Sequence, residues 1–415
     1  MDFVKRKIEQ EIWSHLPKKE VTLIIGPRQA GKTTLMELIE NRLREQKTPT
    51  LFLNLDIERH KDFFDSQDTF MQKLNLEFPT KKGVVFIDEF QRKENAGLFL
   101  KGIYDMKSGH KFVVSGSGSL ELKESIHESL AGRKRMFELL PLSVGEVINH
   151  RTGYRYESRL QEYFSIEKAE ARHHLDEYLQ FGGFPRVVTE KIMSEKLTIM
   201  DEIYRSYLDK DIVALLNIDR PDAFSRLMKL LAAMIGYPIR YSTLATDAGL
   251  SVPTLKKYIW YAERTFSIKI ITPFFTNKRK ELTKSPVVYF TDPGFRNYAI
   301  GSFGNVTHPR ESGILFQNIV YLLILENSRW KGWDIHFWRT TDKTEVDFIV
   351  DKKKELLPIE VKYSSLSKTT VSRSLRSFIE KYNPQEAWVV NFGYEEESKI
   401  NKTVVRFLPW YRLLE

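Results

Sequence analysis

The sequence predicts an α/β chain in three parts: a parallel-sheet domain over 1–150, a helical middle over 151–300 and a smaller α/β domain over 301–415. Three observations carry this expectation. Short apolar runs alternate with helix-patterned segments over the first third. The pattern turns helical from about Tyr154 to Ile235. Strand-like runs return after the turn-rich segment Gly301–Pro309. Strands alternating with helices call for a parallel sheet covered on both faces.

In the first part, Val21–Ile25 (VTLII), Thr50–Leu55 (TLFLNL), Gly83–Ile87 (GVVFI) and Lys111–Val114 (KFVV) read as buried strands. Each is short, rich in β-branched or aromatic residues, and bounded by Gly, Pro or charge. Thr34–Glu45 and Asn95–Lys107 carry apolar residues at helical spacing. In the middle, Glu157–Leu179 and Lys196–Leu216 are long amphipathic stretches separated by a turn, FGGFP at Phe181–Pro185. In the last part a helix near Leu315–Glu326 leads into strands at His336–Arg339, Glu345–Val350, Leu356–Lys362, Ala387–Asn391 and Val404–Phe407.

The 415 residues are 42% hydrophobic and 29% charged, a globular balance that excludes a wholly disordered or collagen-like chain. No run approaches about 18 uncharged apolar residues, so no membrane partner is expected. The first residues, MDFVKRKIEQEIW, hold charge throughout and no apolar signal core, so a cytoplasmic setting is expected. The absence of cysteine excludes disulfides, thiolate metal sites and cysteine nucleophiles. The nine histidines form no ligand pattern, and the adjacent His173 and His174 point to different faces of a helix. Lys and Arg total 64 against 55 Asp and Glu, a formal charge of +9. This excess suits a polyanion partner, and a mildly basic surface fits it equally well.

The most specific signal is Gly26-Pro27-Arg28-Gln29-Ala30-Gly31-Lys32-Thr33, followed by Thr34. It fits G-x-x-x-x-G-K-[ST], follows an apolar strand and opens a helix. Two glycines let the backbone curl so that its N–H groups face phosphate oxygens. The helix adds the positive end of its dipole. Lys32 would bridge the β- and γ-phosphates of ATP, and the Thr33 hydroxyl would ligate Mg²⁺. A second element supports the loop: the apolar strand before Asp88 and Glu89. Asp88 would hold the Mg²⁺ shell, and Glu89 would polarise the attacking water. Ser117, with Ser115 close behind, is the candidate to sense the γ-phosphate; the alternative is a Gly/Ser turn. Arg133, in the basic cluster Arg133-Lys134-Arg135, could serve a neighbouring subunit's site; the alternative is a solvated basic patch.

The strings GPRQAGKTT, FIDEFQ, SGSGSLEL, LAGRKRMFELLPLSVGE, FGGFPRVV, YLDKDI, SPVVYFTDPGF and EVDFIV with LPIEVK cover nearly the whole chain. Together they resemble the archaeal and bacterial AAA+ ATPases that join an AAA domain to a C-terminal nuclease-like domain. The resemblance matches Lys32 and Thr33 to phosphate and Mg²⁺ binding, Asp88 and Glu89 to the acidic pair, and Gln91 to the glutamine that follows it. It matches Arg28 to an arginine usual in the loop, whose partner is either phosphate or a neighbouring subunit. It also implies a ring of identical subunits, with a hexamer as one expected size.

In the middle part, Tyr241–Tyr258 reads as helix, tight turn, helix, with Gly249 in the turn and Ser251 as the N-cap. Thr254, Lys256, Lys257 and Tyr261 are expected at the exposed start and flank of the second helix, where a helix-turn-helix meets DNA. Lys278, Arg279 and Lys280 lie between two apolar strands, as a wing touching phosphates would. The resemblance likewise implies a winged helix; a helical packing domain with a solvated loop is the alternative.

In the last part, Asp347 and Glu360-x-Lys362 fall on adjacent strands, with Glu360 and Lys362 on one face. They resemble a restriction-endonuclease-like core of the PD-(D/E)XK type, in which two carboxylates clamp a metal ion and the lysine positions water. The family's usual further acid falls where this chain has Gln317, which weakens such a site, and Glu345 could substitute only if it faced the same way as Asp347. An active nuclease, a scaffold or DNA-binding relic, and paired surface charges all remain open. Trp330, Trp333 and Trp338 are expected in the C-terminal core, with base stacking an alternative for Trp333.

Function is expected to be that of a Mg-dependent ATPase, a homo-oligomeric motor acting on duplex or branched DNA. The alternatives are a nucleotide-dependent signalling or defence switch that binds proteins, and an ATP-gated metal-dependent nuclease.

Overall fold

The structure is a computed structural model that describes residues 3–79, 82–117, 130–214, 218, 220–277, 281, 284–340 and 344–414. The chain divides into two compact units. The first comprises Met1–Pro141, Glu202–Pro221 and Trp260–Ser267; the second comprises Leu142–Asp201, Asp222–Ile259 and Ile268–Glu415. Two later stretches of chain thus return to the amino-terminal unit.

That unit is built on a parallel sheet of β1 (Val21–Gly26), β2 (Thr50–Asn54), β3 (Val84–Asp88), β4 (Lys111–Ser117) and β5 (Lys134–Glu138). The order is β2-β3-β4-β1-β5, and every neighbouring pair is parallel. The period-two alternation of side chains sorts the apolar residues onto two faces. Leu23 and Ile25, Val85 and Ile87, and Phe112 and Val114 pack in one core with Phe70 and Leu74 of helix Gln67–Glu77 and Phe99, Leu100 and Ile103 of helix Ala96–Asp105. Ile24, Val84, Phe86 and Val113 pack in the other with Ile8 and Ile12 of helix Ile8–His15 and Leu35, Met36, Ile39 and Leu43 of helix Lys32–Glu45. This two-sided burial is why β1, β3 and the Phe112–Val114 part of β4 read as largely apolar runs.

Two local expectations are revised here. The segment after Val114 is not a turn: β4 continues through Ser117, fully buried, because Ile25 and Gly26 of β1 pair with Gly116 and Ser117. The basic cluster Lys134–Arg135 begins β5, an edge strand in which only Phe137 is fully buried. An edge strand tolerates that charge, so its sequence carries no apolar run.

The second unit holds helices Leu160–Ile166 and Lys168–Phe181, the hairpin β6 (Ile268–Ile271) with β7 (Val287–Phe290), and a six-stranded mixed sheet. The sheet strands are β8 (Asp334–Arg339), β9 (Glu345–Asp351), β10 (Leu356–Val361), β11 (Glu386–Asn391), β12 (Glu396–Ile400) and β13 (Thr403–Pro409), ordered β12-β13-β11-β10-β9-β8. Pairing is antiparallel at both edges and parallel for β10-β11 and β11-β13. Helix Arg373–Tyr382 covers one face through Leu375, Phe378 and Ile379, where Trp338 also packs. Trp330 is 51% exposed instead, and Trp333 is only partly buried, beneath Lys331 and Lys352, so these two do not form the core.

The FGGFP segment locks onto the segment around Asp292. Asp292 accepts Gly183 N–H at 2.6 Å and caps helix Pro293–Ala299 by accepting Phe295 N–H at 2.7 Å. A Cβ on Gly183 would lie 2.0 Å from Leu142 O, and one on Gly294 2.0 Å from Phe181 O, so both backbones need glycine to approach.

Candidate nucleotide site

Parallel strands gather their carboxyl ends at one edge of the sheet, where ligands of open α/β folds sit. The ends of β1, β3 and β4 therefore bring together the loop Gly26–Thr33, the pair Asp88 and Glu89, and Ser115 and Ser117. Gly26 is required by proximity: a Cβ there would lie 2.0 Å from Leu139 O. Gln29 and Gly31 take positive φ, 59° and 93°, which curls the loop into the start of helix Lys32–Glu45. Pro27 and Ala30 are buried and Thr34 half-buried. Arg6, itself buried, braces the loop by donating to Ala30 O at 2.8 Å and Leu140 O at 2.6 Å.

Lys32 is 5% exposed and its Nζ donates to Gly26 O at 3.1 Å and Pro27 O at 2.8 Å. Burial pushes its ammonium down from the usual lysine range, against the pull of Glu89, Asp211 and Asp88. The Thr33 hydroxyl donates to Asp88 Oδ2 at 2.7 Å, and Asn54 Nδ2 donates to the same oxygen at 3.2 Å. Ser115 Oγ donates to Asp88 Oδ1. Asp88 is fully buried at the end of β3, held by two hydroxyls and a side-chain amide. A Mg²⁺ ion takes hard oxygen ligands and keeps several from water and phosphate. A threonine hydroxyl already touching a buried carboxylate fits that demand. Among the described residues no three His, Cys, Asp or Glu side chains converge on a metal position.

Glu89 follows in left-handed backbone, φ 55°, a conformation that costs about 1–3 kcal/mol and marks functional turns. Gln91 Nε2 donates to Glu89 Oε2, and its Oε1 accepts Ser117 N–H at 3.1 Å. Gln91 thus links the acid to the end of β4. Ser117 is 1% exposed and its Oγ has no partner among the described residues, whereas Ser115 is engaged by Asp88. An orphaned buried hydroxyl costs about 1–3 kcal/mol, so a ligand oxygen there would relieve it.

The Arg28 side chain is 20% exposed, and its Nε donates to Asp211 Oδ1 at 2.6 Å. Asp211 lies on a π-helical stretch, Tyr207–Ala214, that continues helix Met193–Ser206. Arg133 sits at the surface just before β5, paired with Asp105 at 3.0 Å. Asn54 and Asp211 were not singled out by sequence reasoning. Asn54 ends the apolar run of β2, a signal that could have been used; Asp211 lies in the YLDKDI string, 183 positions from Arg28.

The other candidate residues lie in two further places. Helices Tyr241–Ala248 and Val252–Arg264 flank Gly249, φ 67°, and Ser251 Oγ accepts Thr254 N–H at 3.2 Å. Lys256 and Lys257 are exposed and Thr254 half-buried, with Lys256 5.0 Å over the Tyr241 ring. Tyr261 is buried, 7% exposed, and does not lie on the exposed flank, because it falls on the face shared with Tyr258. Lys278, Arg279 and Lys280 lie outside the described residues.

On β9 and β10, Asp347 Oδ1 accepts from Gln317 Nε2 at 2.8 Å and Oδ2 from Val361 N–H at 2.7 Å. Glu360 accepts from Ser372 Oγ at 2.8 Å and pairs with Lys362 at 2.5 Å. Burial pushes the Asp347 carboxyl up to about 7. Glu345 is drawn to Arg339, at 3.2 Å, instead of completing the centre.

Residues 18–148 match a family model described as an AAA domain. Residues 172–305 and 312–413 match two domains of unknown function, DUF8612 and DUF4143. An uncharacterised protein of Methanocaldococcus jannaschii is 26% identical over 89% of this chain and 80% of its own length. An uncharacterised protein of Mycobacterium tuberculosis is 26% identical over 94% of this chain and 80% of its own. A solved structure of the replication initiator DnaA bound to AMPPCP and single-stranded DNA aligns with a TM-score of 0.31 and 12% identity, over 63% of this chain and 90% of that one. Among the described residues no helix is long and apolar enough to cross a membrane.

Proposed function

We propose that this chain is a Mg-dependent ATPase that works as a homo-oligomeric AAA+ motor on duplex or branched DNA. The observation that carries the ATPase half is the meeting of Thr33 with Asp88 at 2.7 Å beside the buried Lys32. Loop N–H groups and Lys32 bind the β- and γ-phosphates. Thr33 and Asp88 would hold Mg²⁺, which would neutralise charge on the phosphate oxygens. Glu89, oriented by Gln91, accepts the proton of the attacking water as its oxygen bonds to the γ-phosphorus and the bond to the bridging oxygen breaks, releasing ADP. Ser117 Oγ donates to a γ-phosphate oxygen, which supplies its missing partner. Arg133 serves a neighbouring subunit by exchanging Asp105 for a phosphate.

The DNA half is supported by the helix–turn–helix with exposed Lys256 and Lys257, followed by hairpin β6–β7, an arrangement read as a winged helix. The β8–β13 sheet is read as a restriction-endonuclease-like scaffold that does not cleave. A cytoplasmic location is part of the same proposal. The test combines ATP turnover with salt-dependent retention of duplex and branched DNA. Magnesium-dependent turnover that DNA stimulates, with binding that weakens steeply as salt rises, supports both halves. Turnover without DNA retention removes the DNA half, and absent turnover with tightly held ADP favours the protein-binding switch.

A further inference from the structure

The loop that receives phosphates already contains an ion pair. Arg28 is its third residue, and its Nε donates to Asp211 Oδ1 at 2.6 Å. The Asp211 side chain is 5% exposed and that of Arg28 20% exposed. Asp211 also attracts Lys32 and repels Glu89, so it shares their pocket. Burial pushes its carboxyl up, and Arg28 is the chief influence holding it down. A buried carboxylate that loses its cation is costly, so whatever draws Arg28 away also destabilises the seat of Asp211. Asp211 stands on a π-helical stretch, Tyr207–Ala214, a geometry that is rare and favours functional positions.

We infer that Asp211 is a positioning residue that discriminates triphosphate from diphosphate: its carboxylate occupies Arg28 until a terminal phosphate competes for the guanidinium, and that exchange releases the segment Tyr207–Ala214. This rests on the ATP-binding reading above. A γ-phosphate brings negative charge to Arg28 and Lys32 together, and a diphosphate leaves the Arg28–Asp211 pair intact. Breaking the pair is a cost charged to the triphosphate alone, so it lowers ATP affinity relative to ADP. Nucleotide state is thereby passed to a stretch of chain some 180 positions downstream of the loop.

The test measures affinities for ATP and ADP, each with Mg²⁺, by displacement of a fluorescent ADP from the full chain. Asp211→Asn should raise the ratio of ATP to ADP affinity about tenfold, equivalent to about 1.4 kcal/mol. Arg28→Gln should lower that ratio, and the double variant should follow Arg28→Gln, because Asp211 acts through Arg28. Amide exchange over 207–214 in the unmodified chain needs no variant to fold: a non-hydrolysable ATP analogue should speed it, and ADP should not. A purely structural tie would instead make Asp211→Asn weaken both nucleotides equally and leave exchange unchanged or slowed, which overturns the inference. A wild-type chain that binds neither nucleotide takes down the ATPase reading as well, and the two failures are thereby told apart.

Discussion

Two aspartates of the sheets are held by different donors: Asp88 is buried at the end of β3, and Asp347 is half-buried within β9. Asp88 is held by Thr33, Ser115 and Asn54; hydroxyl oxygens can turn from donating to the acid to joining it around a cation. Asp347 is held by the amide of Gln317 and the backbone N–H of Val361, and neither nitrogen can ligate a metal. Lys362 is likewise engaged by Glu360. The difference teaches that an acid in a catalytic-looking pattern is defined by its hydrogen-bond donors. One centre is built to exchange partners, the other to keep them.

The comparison breaks first at Lys32. Lys32→Ala should cut ATP turnover by more than about 100-fold, the scale on which a preorganised charge contributes; turnover within threefold of wild type would mean the loop is not the phosphate site. Glu89→Gln should retain nucleotide binding and slow single-turnover hydrolysis by about 10²–10⁴-fold, the usual worth of a general base. On the other side, Gln317→Glu converts the Asp347 centre from an amide-capped acid into an acidic pair. Manganese should then raise the melting temperature of the variant and not that of the wild type, by the linkage of binding to stability.

The protonation of Asp347 sharpens the contrast. Its carboxyl titrates near 7 in the folded chain against 3.8 ordinarily, so the folded state holds the proton more tightly. The resulting stability is complete below about pH 4 and is lost as pH rises through 7. Asp292, raised to about 6 by burial, acts in the same direction. Asp347→Asn removes its own contribution, so the melting temperature of the variant should gain on that of the wild type between pH 5 and pH 8, at roughly 2–4 °C per kcal/mol. The smallest expected effect is Ser117→Ala. It removes a hydroxyl with no partner among the described residues, so stability should stay within about 1 kcal/mol of wild type or rise, while turnover drops about tenfold.

Much of the molecule was legible because buried parallel strands must be apolar throughout: β1, β3 and β4 declared themselves, and with them the loop and acids at their ends. The edge strand β5 did not, because it opens on two adjacent cations, the exposed Arg135 and the half-buried Lys134, and so mimics a charged loop. Strand β12, EESKI, escaped for the same reason. Gln317 beside Asp347 could be suspected from the missing acid, but that its amide would cap the aspartate needed coordinates. Asp211 was hidden more deeply: nothing local distinguishes it from Asp209 two residues earlier, and only tertiary folding brings it to Arg28.

The brace made by Arg6 has a practical consequence. One guanidinium fastens the phosphate loop at Ala30 and, through Leu140, the chain just before it leaves the first unit at Pro141. Removing that one guanidinium frees the loop at Ala30 and the chain at Leu140 together, so the hold on the loop depends on a residue twenty-four positions before Ala30.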